Sequence, residues 1–206
     1  DGRLAVAHAQ GHRDGARPPG ELELFQGPPK GTFGRFSILI HPDKPGKAFM
    51  KRGYIHYVKG KGYARCLSKH DAKGAFVGAP AFCCTSGKDG EKRYIALVVR
   101  YTSIDPKTGR FLPNHPVEFE IQALALSRIG YSDIGMLAAD DEKVTDLDIV
   151  ATPKEDANGL KYGRISGKAS YRVNAALQAA VMEAAKPFLD GREMSRKIGR
   201  TLNSME

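Results

Sequence analysis

The sequence predicts an α+β protein, mainly β with helices: an OB-fold-like Greek-key barrel with a C-terminal amphipathic helix. Three observations point there. Short β-like runs, bounded by Gly, Pro and Asn turns, follow one another from Gly34 to Ser166. One helix-like stretch interrupts them, and a longer run of helical period closes the series.

The elements can be justified in order. Residues 1–30 read as a flexible N-terminal arm. Its first twenty residues are rich in Gly, Ala, Arg and Pro and lack an apolar period, and LFQGP (Leu24 to Pro28) has the look of a protease-site remnant from an expression vector. Residues 31–190 read as one OB-like domain, and 191–206 as a helical tail. Phe36 to Ile40 is a short apolar strand stopped by HPDKPG, whose prolines and glycine mark a turn. YIHYV (Tyr54 to Val58) and GYARC (Gly62 to Cys66) are strand-like and broken by a glycine-rich reversal. Arg93 to Tyr101 is almost continuously apolar and β-branched, which predicts a central strand. Val117 to Ile121 alternates, so that Val117, Phe119 and Ile121 point inward and Glu118 and Glu120 to water.

The stretch 123–137, with Leu124, Ile129 and Ile134, predicts a helix that fills one end of the barrel. An acidic loop follows, and then a hairpin, DLDIVAT and LKYGRIS, turning at Asn158-Gly159. Ser170 to Leu189 is a helix capped by Ser170, its buried stripe made by Val173, Leu177, Ala180, Val181, Ala184 and Phe188. The tail carries a stripe of its own, Met194, Ile198, Leu202 and Met205, suited either to packing on the domain or to self-association.

Charge is unevenly placed. The chain of 206 residues carries a net +9, and between Lys44 and Lys73 nine Lys/Arg face a single acid, Asp71. A one-signed patch of this kind attracts polyanions, nucleic acid first among them. The same segment interleaves rings with cations in KRGYIHYVKGKGYARC (Lys51 to Cys66). Single strands need a basic groove for phosphates and aromatic faces for bases, and this run offers both. No apolar run approaches the ~20 residues of a membrane span, no secretion signal stands at the N-terminus, and three cysteines fit a reducing compartment better than a disulfide framework.

Cys66, His70, Cys83 and Cys84 form a second constellation, with His56 nearby. Thiolate and imidazole are the ligands zinc takes in structural sites, although adjacent cysteines are an unusual spacing for one ion. Asp140, Asp141, Glu142, Asp146 and Asp148 are an acidic cluster that can in principle hold magnesium for a nuclease, but no P-loop or nucleophile elbow accompanies it. The chain therefore reads as a non-enzyme.

In order and patterning, GYARCLSKH…AFCC, RYIALVVRYTSIDPKTGRF, VEFEIQALALSRIGYSDI and DLDIVATPKEDANGLKYGRIS resemble the single-stranded DNA-binding proteins of tailed bacteriophages, over roughly Phe33 to Tyr171. That resemblance implies an OB-fold coating transient single strands in DNA replication, recombination and repair, in the cytoplasm of an infected bacterial host. It further implies a cleft lined by Lys51, Arg52, Tyr54, Tyr57, Lys59, Lys61, Tyr63 and Arg65, with Tyr94, Arg100 and Tyr101 on the next strand, and a structural zinc at Cys66, His70, Cys83 and Cys84. The expected partners are single-stranded DNA or RNA and replication or transcription proteins. A phage transcription regulator contacting RNA polymerase is the alternative. The family commonly carries an acidic C-terminal tail, whereas the last residues of this sequence, REMSRKIGRTLNSME, are net basic, so either the sequence is truncated or partners are recruited differently.

Overall fold

The computed structural model describes residues 21–58, 62–71, 73, 75–85, 90–139, 142–155, 159–168 and 170–198. It is a mixed α+β structure built on one eight-stranded sheet. The strands are β1 (Glu23–Leu24), β2 (Gly34–Ile38), β3 (Met50–Val58), β4 (Gly62–Arg65), β5 (Glu91–Tyr101), β6 (Phe119–Leu126), β7 (Leu147–Pro153) and β8 (Leu160–Lys168). The helices are α1 (Phe82–Thr85), α2 (Arg128–Gly135), α3 (Ser170–Val173), α4 (Ala175–Ala185) and α5 (Arg192–Lys197).

The apolar run expected to be central is central. β5 pairs antiparallel with β6 along one edge, and on its other edge carries β2 (Ile38 opposite Val98) and then β3 (Met50 opposite Ala96) in series. The sheet continues from β2 to β7 and β8, while β1 lies parallel to β6. Ile95 to Val99 are buried on both faces, which is why the run shows no polar alternation. One face holds Leu97, Val99, Tyr101 and Phe119 against Tyr171, Leu177 and Val181 of α3 and α4 and Met194 of α5. The other face packs Phe36, Val98, Leu124 and Ile149 with Phe25 and with Ile134 of α2.

Several expectations change. Residues 21–30 are no loose arm: Leu22 is fully buried, Glu23–Leu24 pair with β6, and the Phe25 ring meets Phe36 edge-on at 5.1 Å. A vector remnant has no reason to fill a core, so LFQGP belongs to the fold; residues 1–20 lie outside the described residues. The helix expected over 123–137 begins only at Arg128. Its first residues, Ala-Leu-Ala-Leu, alternate with period two and finish β6, and the Ser127 side chain then accepts from the Gly130 amide as N-cap. Ile129 is accordingly exposed. The helix expected over Ser170–Leu189 is broken at Asn174, which leaves helical geometry and caps α4 by accepting from the Leu177 amide.

The tail stripe packs inward. Met194 and Ile198 are buried under β3, where Gly53 makes the approach possible: a Cβ there would lie 2.6 Å from the Ile198 side chain. Leu202 and Met205 lie outside the described residues. No helix among the described residues is long and apolar enough to cross a membrane.

Candidate metal centre and basic aromatic face

The β3–β4 hairpin ends in a cluster of metal-ligating side chains. In its antiparallel register His56 stands opposite Ala64, and the Cys66 amide bonds to the Tyr54 carbonyl, so Tyr54, His56 and Cys66 share one face of the ribbon. α1 then returns Cys83 and Cys84 to that face. Cys66 Sγ lies 3.9 Å from Cys83 Sγ and 3.4 Å from Cys84 Sγ, the two adjacent thiols are 3.9 Å apart, and His56 Nε2 is 3.5 Å from Cys84 Sγ. All four donor atoms lie within 4.8 Å of one another. A tetrahedral ion with metal–sulfur bonds of ~2.3 Å and a metal–nitrogen bond of ~2.0 Å has edges of about 3.5 to 3.8 Å, and the cluster has that size.

The donor set differs from the expected one in a single member. His56 takes the place of His70, whose ring instead stacks on Tyr54 (3.8 Å, 16° between planes) and tilts against Phe76 at 5.0 Å. The adjacency of Cys83 and Cys84, unfavourable by spacing alone, is accommodated because the turn after Cys66 orients both. The Leu67 amide donates to Cys83 Sγ, and the Ser68 hydroxyl donates to Cys84 Sγ while accepting from the Ala81 amide. Burial, and next a hydrogen bond with Cys84, push the Cys66 thiol up to about 12. Burial opposes ionisation of Cys83 too, but the Leu67 amide and the neighbouring thiols outweigh it and hold that thiol below its ordinary value.

Above this cluster the sheet presents rings and cations together. Arg52 on β3 stands opposite Tyr94 on β5, and Tyr54 opposite Lys92, all four on the face turned away from α4 and α5. Lys92 Nζ lies 5.5 Å from the Tyr94 ring centre. Tyr94 also stacks on Tyr131 of α2, at 4.2 Å and 11°.

The remaining predicted residues divide. Lys51 is on the opposite face, its ammonium 3.4 Å from Ser195 Oγ of α5, and Arg65 is exposed opposite Ile55 on that same far side. Arg100 shares the Arg52 face but sits nearer β1, 3.7 Å from Glu120 and over Phe25. Tyr101 is buried and therefore no base platform: its hydroxyl lies 3.0 Å from Ser37 Oγ and accepts from the Tyr171 amide. The backbones of Tyr57 and Tyr63 pair across the hairpin. Lys59 and Lys61 lie outside the described residues.

The acidic cluster disperses. Asp148 is buried, ion-paired with Arg35 and accepting from Ser37 Oγ at 2.6 Å; Glu142 pairs with Arg164 and Asp146 with Arg172. Asp140 and Asp141 lie outside the described residues. Two contributors were missed in the sequence, Lys92 and Tyr131. Lys92 shows itself only through the β3–β5 register, and Tyr131 is hidden by the assumption that 123–137 is one helix. No family model matches the chain, and comparison with curated proteins and with solved structures returns no match.

Proposed function

We propose that this chain is a non-enzymatic, sequence-independent single-stranded DNA-binding protein, as the resemblance to phage proteins implies, and that zinc is the ion of the His56, Cys66, Cys83 and Cys84 cluster. The observation that carries the reading is the pair of cross-strand couples, Arg52 with Tyr94 and Tyr54 with Lys92, which set two residues of the most basic segment beside a ring and a cation of β5 on one face. Phosphates meet the cations, and bases, flat whatever their identity, meet the rings. An OB-type barrel is part of the proposal. β5 carries β2 and β3 in series on one edge, the kind of switch by which small barrels turn corners.

Zinc fits the donor chemistry. Three thiols and one imidazole make a closed set that leaves no position for substrate, which suits a structural role. The ion would neutralise the thiolates and tie residues 66–84 to the hairpin, so that His70 is held against Tyr54. The protein residues place the face; the ion supplies cross-linking and no reaction step.

The test is a titration with oligo-dT at two salt concentrations. With eight tyrosines and no tryptophan, the intrinsic fluorescence reports tyrosine stacking directly. Quenching, preference over duplex, and steep weakening with salt are expected. Absence of binding at low salt, or equal affinity for duplex, ends this reading.

A further inference from the structure

The strand of positive and aromatic side chains does not stop at the sheet. Tyr131 lies on α2, and its ring covers one side of Tyr94 while Tyr131 itself remains 44% exposed. The position is fixed by short connections: Leu126 is the β6 partner of Tyr94, the very next residue, Ser127, caps α2, and Ile134 anchors the helix in the core beneath. Arg128, exposed, precedes Tyr131 by three residues and therefore lies on the same side of the helix. The nearest acid on α2, Asp133, lies close enough to the Tyr162 phenol to help raise it, after burial, to about 12.

Resting on the single-strand reading above, we propose that α2 is a second contact for the strand: Tyr131 stacks a base on the side of its ring not covered by Tyr94, and Arg128 takes the adjoining phosphate. A bare aromatic contact would serve packing alone. Here the residue is 44% exposed and backed by a second ring, Tyr94, which itself neighbours Arg52 and Lys92 on the sheet, while Arg128 precedes it on the helix. A flexible polyanion with flat bases is the partner that matches rings and cations alternating over this short path.

The experiment measures oligo-dT affinity of the full chain and of Tyr131→Ala, Tyr131→Leu, Tyr131→Phe, Arg128→Ala and Tyr54→Ala. Tyr131→Ala and Tyr131→Leu should each bind roughly ten-fold more weakly with the salt slope unchanged, whereas Tyr131→Phe keeps the ring and binds as the parent does. Arg128→Ala should lower the salt slope by about one. Tyr131→Leu still packs on Tyr94, so a fall in its affinity reports lost stacking and not a loosened helix. If the parent binds and Tyr54→Ala weakens it while both ring-less Tyr131 variants stay within about two-fold of the parent, α2 is no contact and only this inference falls. If the parent does not bind at all, the single-strand reading falls and takes the inference with it.

Discussion

Two polar sites in this molecule are buried by opposite means. At the crossing of β2, β5 and β7, Arg35 and Asp148 form an ion pair, the Ser37 hydroxyl donates to Asp148, Tyr101 bonds to Ser37 and to the Tyr171 amide, and the Arg35 guanidinium lies 3.9 Å from the Phe111 ring centre. Arg35, Ser37, Tyr101 and Asp148 are buried in the sheet. At the β3–β4 hairpin, by contrast, three thiols and an imidazole bring their donor atoms within 4.8 Å of one another, under a thin cover where Leu67, Phe76 and Val77 are exposed. The first site pairs its charges with protein groups; the second is a donor set that could hold a metal ion. Hydrogen-bonded networks and ligand clusters depend on different chemistry, so the two should respond to different insults.

Metal removal should produce the largest effect and divide the molecule. Ligation contributes on the order of ten kcal/mol of apparent folding free energy in small zinc peptides, and among the described residues of 66–84 the buried apolar side chains are the candidate ligands Cys66 and Cys84. Chelation, or Cys84→Ser, should therefore expose the amides of residues 54–84 to hydrogen exchange while those of β2, β5 and β7 stay protected. Uniform loss of protection across the sheet would mean that the hairpin and the core are one cooperative unit. Metal analysis on the same sample should return one zinc per chain, lost in the Cys84→Ser variant.

Asp148→Ala attacks the other site. It leaves the Arg35 guanidinium buried without its carboxylate, and breaking such a pair from one side costs about 3 to 5 kcal/mol. Denaturant melts should show this fall in stability with zinc still bound at the parent stoichiometry. A loss below 1 kcal/mol would mean that water reaches the network, as it does an ordinary surface pair.

What could be read from the sequence divides along the same line. The core strands were legible because burial imprints a period: Arg93 to Tyr101 lies inside β5, and the alternation of Val117 to Ile121 continues into β6 with Phe119 inward. The region from Cys66 to Cys84 was legible as chemistry but not as geometry. Cysteine identity marked three ligands, yet the choice between His56 and His70 depends on hairpin register, which puts His56 on the Cys66 face although ten positions separate them. His70 is nearer Cys66 along the chain, but a strand pair brings together residues that sequence distance keeps apart. Tyr101 failed for the converse reason. A tyrosine at the end of an apolar strand looks like a rim ring until the fold supplies Ser37 and the Tyr171 amide as buried partners.

The smallest effect comes from the phenols and sharpens the contrast at high pH. Burial raises Tyr162 and Tyr171 to about 12 and lifts Tyr101 well above the ordinary phenol value, with the Asp148 charge adding to the last. These are acids kept neutral by the fold, so the stability they contribute is full below the unfolded value of about 10 and is lost as pH climbs through the folded values. A spectrophotometric titration should show a late group, Tyr101, Tyr162 and Tyr171 among them, ionising together with loss of the core. Tyr101→Phe should remove part of that late group and reduce the slope of stability against pH above 10. Chelated protein should give the same late step, since none of the three phenols belongs to the metal cluster. A late step that moves with zinc content would place the hairpin and the buried network in one unit after all.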